Sequence, residues 1–314
     1  MKTIISITMN PSIDKSAGVE RVIVERKLYC KMPIYEPGGG GVNVSRAIKK
    51  LGGKSKLLYS SGGILGQLLT DLLEKEKIDY WPISIKGTIR ESVIIFEEST
   101  GFQYRFGMPG PVLREEEWQK CLDELGSVKP KPDYIVASGS LPSGVPADFY
   151  ARVARMGKDN GSKVIIDAPS ENLKPVLQEG VYLIKPNIRE FRDFFGEEIK
   201  EEPQIKEKAR AIVESGQSEV VVISLGAAGV ITAFDKTVEH IVPPTVPVIS
   251  KVGAGDSMVA GIVLSLARGM PVYEAVRFGV AAGTAAVMTP GTELCRREDA
   301  ERLYQEMAPF QRNS

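Results

Sequence analysis

From residue 42 onward, short runs rich in β-branched residues alternate with helical patterns, and this alternation constrains the fold more than any other feature of the 314-residue chain. Residues 42–51 and 65–75 carry apolar side chains at helical spacing, whereas 54–60, 133–138, 163–167, 181–185 and 219–224 read as strands. Strand, helix and strand in succession make βαβ units. They predict an α/β fold with a mostly parallel, doubly wound sheet. The apolar run 1–8 supplies a first strand. Ligands of such sheets bind beyond the carboxyl ends of the strands, so residues just after each strand are where chemistry is expected.

The alternation breaks twice, at about 12–35 and 89–107, where β-patterned segments follow one another with no helix between them. Residues 92–98, the turn Ser99-Thr100-Gly101 and residues 102–106 predict a hairpin. The two segments form a small β-sheet flap, placed to cover a substrate or pair with a second subunit. No repeat or long linker divides the chain, so residues 1–314 read as a single domain.

Composition narrows the function. The chain has 40 Lys+Arg against 40 Asp+Glu, so it lacks the global basic field typical of nucleic-acid binders and membrane-surface proteins. No nucleic-acid or membrane partner is expected. The stretch closest to a membrane span, 258–267, is well short of the roughly 18 uncharged apolar residues needed. Cys30, Cys121 and Cys295 have no C-x-x-C spacing and fit reduced thiols in a cytoplasmic protein. The single histidine, His240, sits in a strand-like run without the second ligand that a zinc pair needs.

The 31 glycines invite a test for nucleotide motifs. A Walker loop fails, because the position five before Gly53 in Gly53-Lys54-Ser55 is Ile48. A dinucleotide fingerprint also fails, because Met258 stands where Gly253-Ala254-Gly255 would need its third glycine. Two other clusters fit an anion better. Gly38, Gly39, Gly40 and Gly41 precede the helix that carries Asn43 in its first turn, bringing backbone and helix amides close to a ligand. The same glycines would also serve a flexible loop and a helix cap. Gly253-Ala254-Gly255-Asp256 opens a helix apolar all round, hence buried, whose N-terminus offers unpaired N–H groups. Asp256 reads either as an N-cap or as a carboxylate beside a phosphoryl group. At an ordinary pKa of about 4 it is ionised at neutral pH and able to take an alcohol's proton.

Five segments in order resemble the ribokinase-like, PfkB-type carbohydrate kinases over nearly the whole chain. They are Asn10-Pro11-Ser12-Ile13-Asp14, the glycine signature at 38–47, Lys185-Pro186-Asn187-Ile188-Arg189-Glu190, Ser224-Leu225-Gly226-Ala227-Ala228-Gly229, and the Gly-Ala-Gly-Asp signature at 253–256. The resemblance implies a three-layer αβα sandwich with a β-flap. Four consecutive glycines at 38–41, in place of the Gly-Gly-Lys-Gly of branches acting on fructose 1-phosphate or tagatose 6-phosphate, point to the branch that phosphorylates fructose 6-phosphate with ATP. Those other phosphosugars remain the alternative substrates, and a silent sugar-phosphate sensor is an alternative of another class.

Carried over by motif, the resemblance makes Asp256 the base and residues Gly253, Ala254 and Gly255 the anion hole. It assigns sugar hydroxyls to Asp14 and Asn43, beside the Gly38–Gly41 loop, with Ser138, Gly139 and Ser140 completing the pocket. The 6-phosphate falls to Arg90 and Arg105, whose guanidinium geometry suits phosphate oxygens. Lys185, Asn187, Ser224, Gly226, Gly229 and Thr284 match the nucleotide side, and Lys27 a substrate and regulatory-nucleotide contact. Asn187 and Glu190 form the N-x-x-E pattern that organises Mg2+. A monovalent-cation (K+) site is implied near Ser250, Val252, Ala286 and Gly291. The sequence departs from the family pattern at Lys251, Thr289 and Glu293, where Thr or Ser, Asn and Arg are expected. A homodimer formed through the flap is implied as well.

Overall fold

The computed structural model describes residues 2–196, 199 and 201–307. Its strands are β1 (Ile4–Thr8), β2 (Ser12–Val19), β3 (Ile34–Gly38), β4 (Lys56–Ser61), β5 (Asp79–Ser84), β6 (Arg90–Glu97), β7 (Gln103–Gly107), β8 (Tyr134–Ser138), β9 (Lys163–Asp167), β10 (Val181–Ile184), β11 (Ser218–Ser224), β12 (Val230–Phe234) and β13 (Thr237–Ile241). The helices are α1 (Gly40–Lys50), α2 (Gly63–Lys75), α3 (Glu115–Ser127), α4 (Phe149–Asn160), α5 (Ser170–Glu179), α6 (Ile188–Phe195), α7 (Glu202–Glu214), α8 (Ala254–Ala267), α9 (Val272–Val287) and α10 (Arg297–Glu306). The first strand expected over 1–8 thus forms over Ile4–Thr8, Met1 lying outside the described residues.

Among the described residues, nine strands form one sheet in the order β13-β12-β11-β10-β9-β8-β1-β4-β5. All neighbours from β5 to β11 run parallel; β12 and β13 return antiparallel at one edge. Successive strand residues point to opposite faces, and here both faces are apolar. In β8, Tyr134 and Val136 join a core with α1, α8, α9 and α10, while Ile135 and Ala137 join a second core with α2 to α7. Those two cores are the interlayer contacts of an αβα sandwich.

Strand order reverses at β1, whose neighbours β4 and β8 lead the chain away in opposite directions. The crevice at such a switch point opens at the carboxyl ends of β1 and β8. The chain leaves β1 through Met9-Asn10-Pro11 directly into the flap, a separate sheet ordered β3-β2-β6-β7. The expected hairpin is β6 and β7, with Ser92 opposite Gly107 and Phe96 opposite Gln103. In the flap, β2 pairs antiparallel with β3 and parallel with β6.

Glycines fix how α1 meets this crevice. A Cβ on Gly41 would lie 2.4 Å from the Ile7 carbonyl oxygen, and one on Gly40 would lie 2.4 Å from Ser138 Oγ and 2.8 Å from the Gly139 nitrogen. Gly39 caps the helix at φ 107°, a backbone that side chains resist. Gly40 and Gly41 are therefore the first turn of α1, seated on the ends of β1 and β8, and Gly39 is the cap that the alternative reading expected.

Candidate active site

The carboxyl ends of β1, β8, β9 and β10 converge on the N-terminus of α8. Gly253, in the left-handed region at φ 74°, caps that helix without a side-chain hydrogen bond. The amides of Ala254, Gly255 and Asp256 are left with no intrahelical acceptor, as in any first turn. Asp256 is in this turn, and Asn43 Nδ2 from α1 donates to its Oδ2 at 2.9 Å. Lys185, immediately after β10, is buried and pairs through Nζ with Asp167 Oδ1 at 3.0 Å. A Cβ on Gly255 would lie 3.5 Å from the same Nζ, so the ammonium stands against the first turn of α8.

Charge coupling here corrects the expectation of an ordinary aspartate. Burial, and then the Asp167 carboxylate, push the Asp256 carboxyl up to about 7, against the lowering effects of Asn43 and Lys185. A carboxyl titrating near neutrality is suited to proton transfer at neutral pH. Burial alone would lower the Lys185 ammonium, but Asp167, Glu190 and Asp256 outweigh it and hold the ammonium above its usual range.

On the flap side, Asp14 is buried with Oδ1 accepting from Ser12 Oγ at 2.8 Å. Burial raises its carboxyl, opposed by Ser12 and Arg90. A Cβ on Gly38 would fall 2.1 Å from Asp14 Oδ1, so glycine is required there to admit the carboxylate. Arg90 is only partly exposed, with Nε donating to the Asn10 carbonyl at 3.3 Å and Nη1 to Ser92 Oγ at 3.3 Å. Cross-strand partners share a face of a sheet. The rows Ser12–Arg90, Asp14–Ser92–Gly107 and Ser16–Ile94–Arg105 therefore set Arg105 on the face that carries Asp14 and Arg90, two rows farther along. Ser138 Oγ lies 3.5 Å from Asp167 Oδ2, the Gly139 carbonyl accepts from Tyr150, and Ser140 Oγ accepts from Asn10 Nδ2 at 3.0 Å.

On the opposite side, Asn187 and Glu190 form a reciprocal cap of α6. Asn187 Oδ1 accepts the Arg189 and Glu190 amides, and Glu190 Oε2 accepts the Asn187 amide at 2.8 Å. Burial raises the Glu190 carboxyl above its usual range. Among the described residues no group of three or more acidic, histidine or cysteine side chains is gathered to hold a metal ion, but the Glu190 oxygen outside the cap fits a dication carried mainly by nucleotide phosphates. Asn187 also bridges to Ser224 at the end of β11. Gly226 and Gly229 shape the turn into β12, and a Cβ on Gly226 would meet open space. Thr284 donates its hydroxyl to Val280 within α9.

At the monovalent-cation residues, the Gly291 carbonyl accepts from Ser250 Oγ at 3.0 Å, and Ser250 Oγ accepts the Val252 amide. The Ala286 carbonyl accepts the Thr289 amide and lies 2.8 Å from the Thr289 hydroxyl, Thr289 being one of the departures from the family pattern.

Asp256, Asn43, Lys185 and Glu190 form one cluster, with Asp14 and Arg90 across the crevice. Among the described residues, neither Lys27 nor Arg105 is joined to it by a hydrogen bond or ion pair; Lys27 lies in the exposed loop after β2 with its ammonium over Tyr29. Asp167 was missed by sequence reasoning, although its place at the carboxyl end of a strand was the available signal. Arg46 was missed too: it is buried, paired with Glu76 and Glu36, and donates to the Pro37 and Thr292 carbonyls. His240, by contrast, serves structure, bonding the Ala228 carbonyl and Glu202.

An α/β crevice that sets a carboxylate of neutral pKa beside orphan helix amides, a buried lysine and a second carboxylate defines an enzyme of phosphoryl-transfer type. The model of the pfkB family carbohydrate kinases matches residues 3–299. ATP-dependent 6-phosphofructokinase isozyme 2 of Mycobacterium tuberculosis (strain CDC 1551 / Oshkosh) is 41% identical over 96% of this chain and 89% of its own length. The isozyme 2 of Escherichia coli K12 is 36% identical over 97% and 98%. The 1-phosphofructokinase of Bacillus subtilis 168 is farther, at 30% over 97% and 98%.

Crystal structures of E. coli phosphofructokinase-2 superpose with TM-scores of 0.92 in complex with fructose-6-phosphate (35% identity) and 0.94 in complex with potassium (36% identity). Each comparison covers 98% of this chain and 99% of the other. A ribokinase from Thermotoga maritima, 21% identical, shares the fold at a TM-score of 0.77 over 97% of this chain and 100% of its own. The chain belongs to the pfkB family of carbohydrate kinases, and its fold is the ribokinase-like sandwich expected.

Proposed function

We propose that this kinase transfers the γ-phosphoryl group of ATP to the C1 hydroxyl of fructose 6-phosphate, giving fructose 1,6-bisphosphate and ADP. The observation that carries the reading is the Asn43–Asp256 pair at the open N-terminus of α8, a base tuned near neutrality beside unpartnered amides. The names of the relatives at 36–41% identity supply the sugar and the nucleotide, and the more distant 1-phosphofructokinase and a tagatose-6-phosphate kinase mark the competing substrates.

In this reading Asp14 and Asn43 hold sugar hydroxyls, with residues 38–41 and 138–140 around them. Asp256 removes the C1 hydroxyl proton as the oxygen bonds to the γ-phosphorus. The bond to the β,γ-bridging oxygen breaks and ADP leaves with that electron pair. The amides at 253–256 and the Lys185 ammonium face the charge spread over the transferred group. Asn187, Ser224, Gly226, Gly229 and Thr284 line the nucleotide side, and Lys27 reaches substrate or nucleotide only if its loop closes. Asn187 and Glu190 would help to hold Mg2+ with the nucleotide, and the ion would supply neutralisation of phosphate charge. The whole chain works as one kinase domain, 12–35 and 89–107 being its flap, and the unpaired cysteines suit the cytoplasm.

The flap also supports a homodimer. Tyr35, Lys15, Val93 and Phe106 form a row on the face opposite Asp14, and Tyr35, Phe102 and Phe106 are exposed there and at the hairpin turn. Exposed aromatic side chains on one sheet suit burial by a second copy. Sedimentation of the native chain is expected to give a dimer or a larger even assembly; a monomer at micromolar concentration would remove this part of the reading.

Turnover over KM across a panel of fructose 6-phosphate, tagatose 6-phosphate and fructose 1-phosphate tests the substrate, with fructose 6-phosphate expected first. Arg90→Ala is expected to raise KM for fructose 6-phosphate roughly 10- to 100-fold, the range for one charge-assisted contact, and to leave KM for ATP unchanged. Equal loss toward an unphosphorylated sugar would show that Arg90 does not read the phosphate.

A further inference from the structure

A second cavity, of about 700 Å³, opens at the amino ends of β1, β4, β5 and β8, the far edge of the sheet from Asp256. Its volume is in the range of small-molecule sites, and its walls are apolar, with Ile4, Ile78 and Val128 among them. Six lysines line it: Lys2, Lys49, Lys54, Lys56, Lys77 and Lys129, against one acidic residue, Asp79. In a chain of zero net charge this is a pronounced local excess.

The neighbouring carboxylates relieve it only in part. Glu76 is committed to Arg46, and Asp133, which accepts from the amide and hydroxyl of Thr3, is within electrostatic reach of Lys2 alone among the six. Among the described residues, none of the six lysines is in an ion pair. Lys49 donates only to the Glu76 and Lys77 carbonyls, while Lys2 and Lys56 lie over Tyr134 and Trp81. Six lysines around one cavity against a single acidic side chain leave a local positive potential that an entering anion would neutralise.

We propose that this cavity is a binding site for a small organic polyanion, a phosphorylated or polycarboxylate metabolite whose carbon frame rests on the apolar wall. Its lining contains no aromatic side chain, so it lacks the stacking platforms by which proteins hold single-stranded nucleic acid.

Calorimetry at low salt with phosphoenolpyruvate, citrate and inorganic phosphate tests the site and separates phosphate from carboxylate recognition. Phosphoenolpyruvate or citrate should bind saturably and at least tenfold more tightly than inorganic phosphate. The double variant K54E/K129E, both positions exposed and unpartnered, should weaken binding tenfold or more, whereas R90A should not. Hydrogen exchange with bound ligand should slow at residues 49–56 and 128–132. The proposal is overturned if neither organic anion binds, if inorganic phosphate binds equally well, or if K54E/K129E leaves affinity unchanged. Loss of binding in R90A, or binding of a single-stranded oligonucleotide in place of the small anions, would also overturn it.

Discussion

Asp256→Asn is expected to lower kcat by about three orders of magnitude, within the range for loss of a positioned general base, while substrate and nucleotide affinities change little. Asparagine keeps an oxygen able to accept from Asn43 Nδ2, so the Asn43 contact and the first turn of α8 survive. What disappears is the carboxylate that receives the C1 hydroxyl proton in the proposed reaction. Near-normal turnover in this variant would assign the proton elsewhere.

The same substitution carries a stability signature of opposite sign. The Asp256 carboxyl is raised from 3.8 to about 7 in the folded protein. Between those values the native state keeps a proton that the unfolded chain has released. The stabilisation from this group is therefore complete below about pH 4 and is lost as pH rises through 7. Asparagine has no charge to bury, so Asp256→Asn should melt higher than the native chain at pH 8 and nearly level with it at pH 4. For the native enzyme, turnover over KM should rise with pH through about 7 and level off above it. A variant that is both inactive and more stable at alkaline pH is what a strained base predicts; an equal loss of stability at both pH values would mark Asp256 as an ordinary cap.

The parts of this site that sequence reveals are those encoded by local pattern. Alternation of β-branched runs with helices carries the sheet, and the Ser99-Thr100-Gly101 turn carries the flap hairpin. The glycines before Asn43 and Asp256 mark two helix starts, because close approach leaves no room for a Cβ. Asp167 escaped notice because Lys163-Val164-Ile165-Ile166-Asp167 reads only as a strand that ends in a charge. Its importance arises when β10 brings Lys185 alongside, a tertiary pairing between parallel neighbours. The burial of Arg90 against Asn10 is not written in the local pattern, because it requires the flap to fold back over the end of β1. The Asp256 pKa departs from the ordinary value for the same reason: burial at the N-terminus of α8, and then the Asp167 carboxylate, raise it, and no local spacing encodes either.

Asp167 and Lys185 should tune Asp256 in opposite directions. Lys185→Met removes a cation that favours the ionised base and leaves Asp167 buried without its partner. The rise of activity with pH should then move to higher pH, and the fold should lose about 3–5 kcal/mol, the usual cost of breaking a buried pair. Asp167→Asn instead removes the carboxylate that, after burial itself, does most to raise Asp256. Its pH profile should move to lower pH, while Lys185, still facing Glu190 and Asp256, loses its main counter-charge. Because bound nucleotide adds charge of its own, the cleaner measurement is the pH dependence of melting in the ligand-free protein. The loss of stability between pH 4 and 8 should shift to lower pH in Asp167→Asn and to higher pH in Lys185→Met. Shifts in the same direction would mean that the two variants act through lost packing, and that the Asp167–Lys185 pair stabilises the crevice without tuning its base.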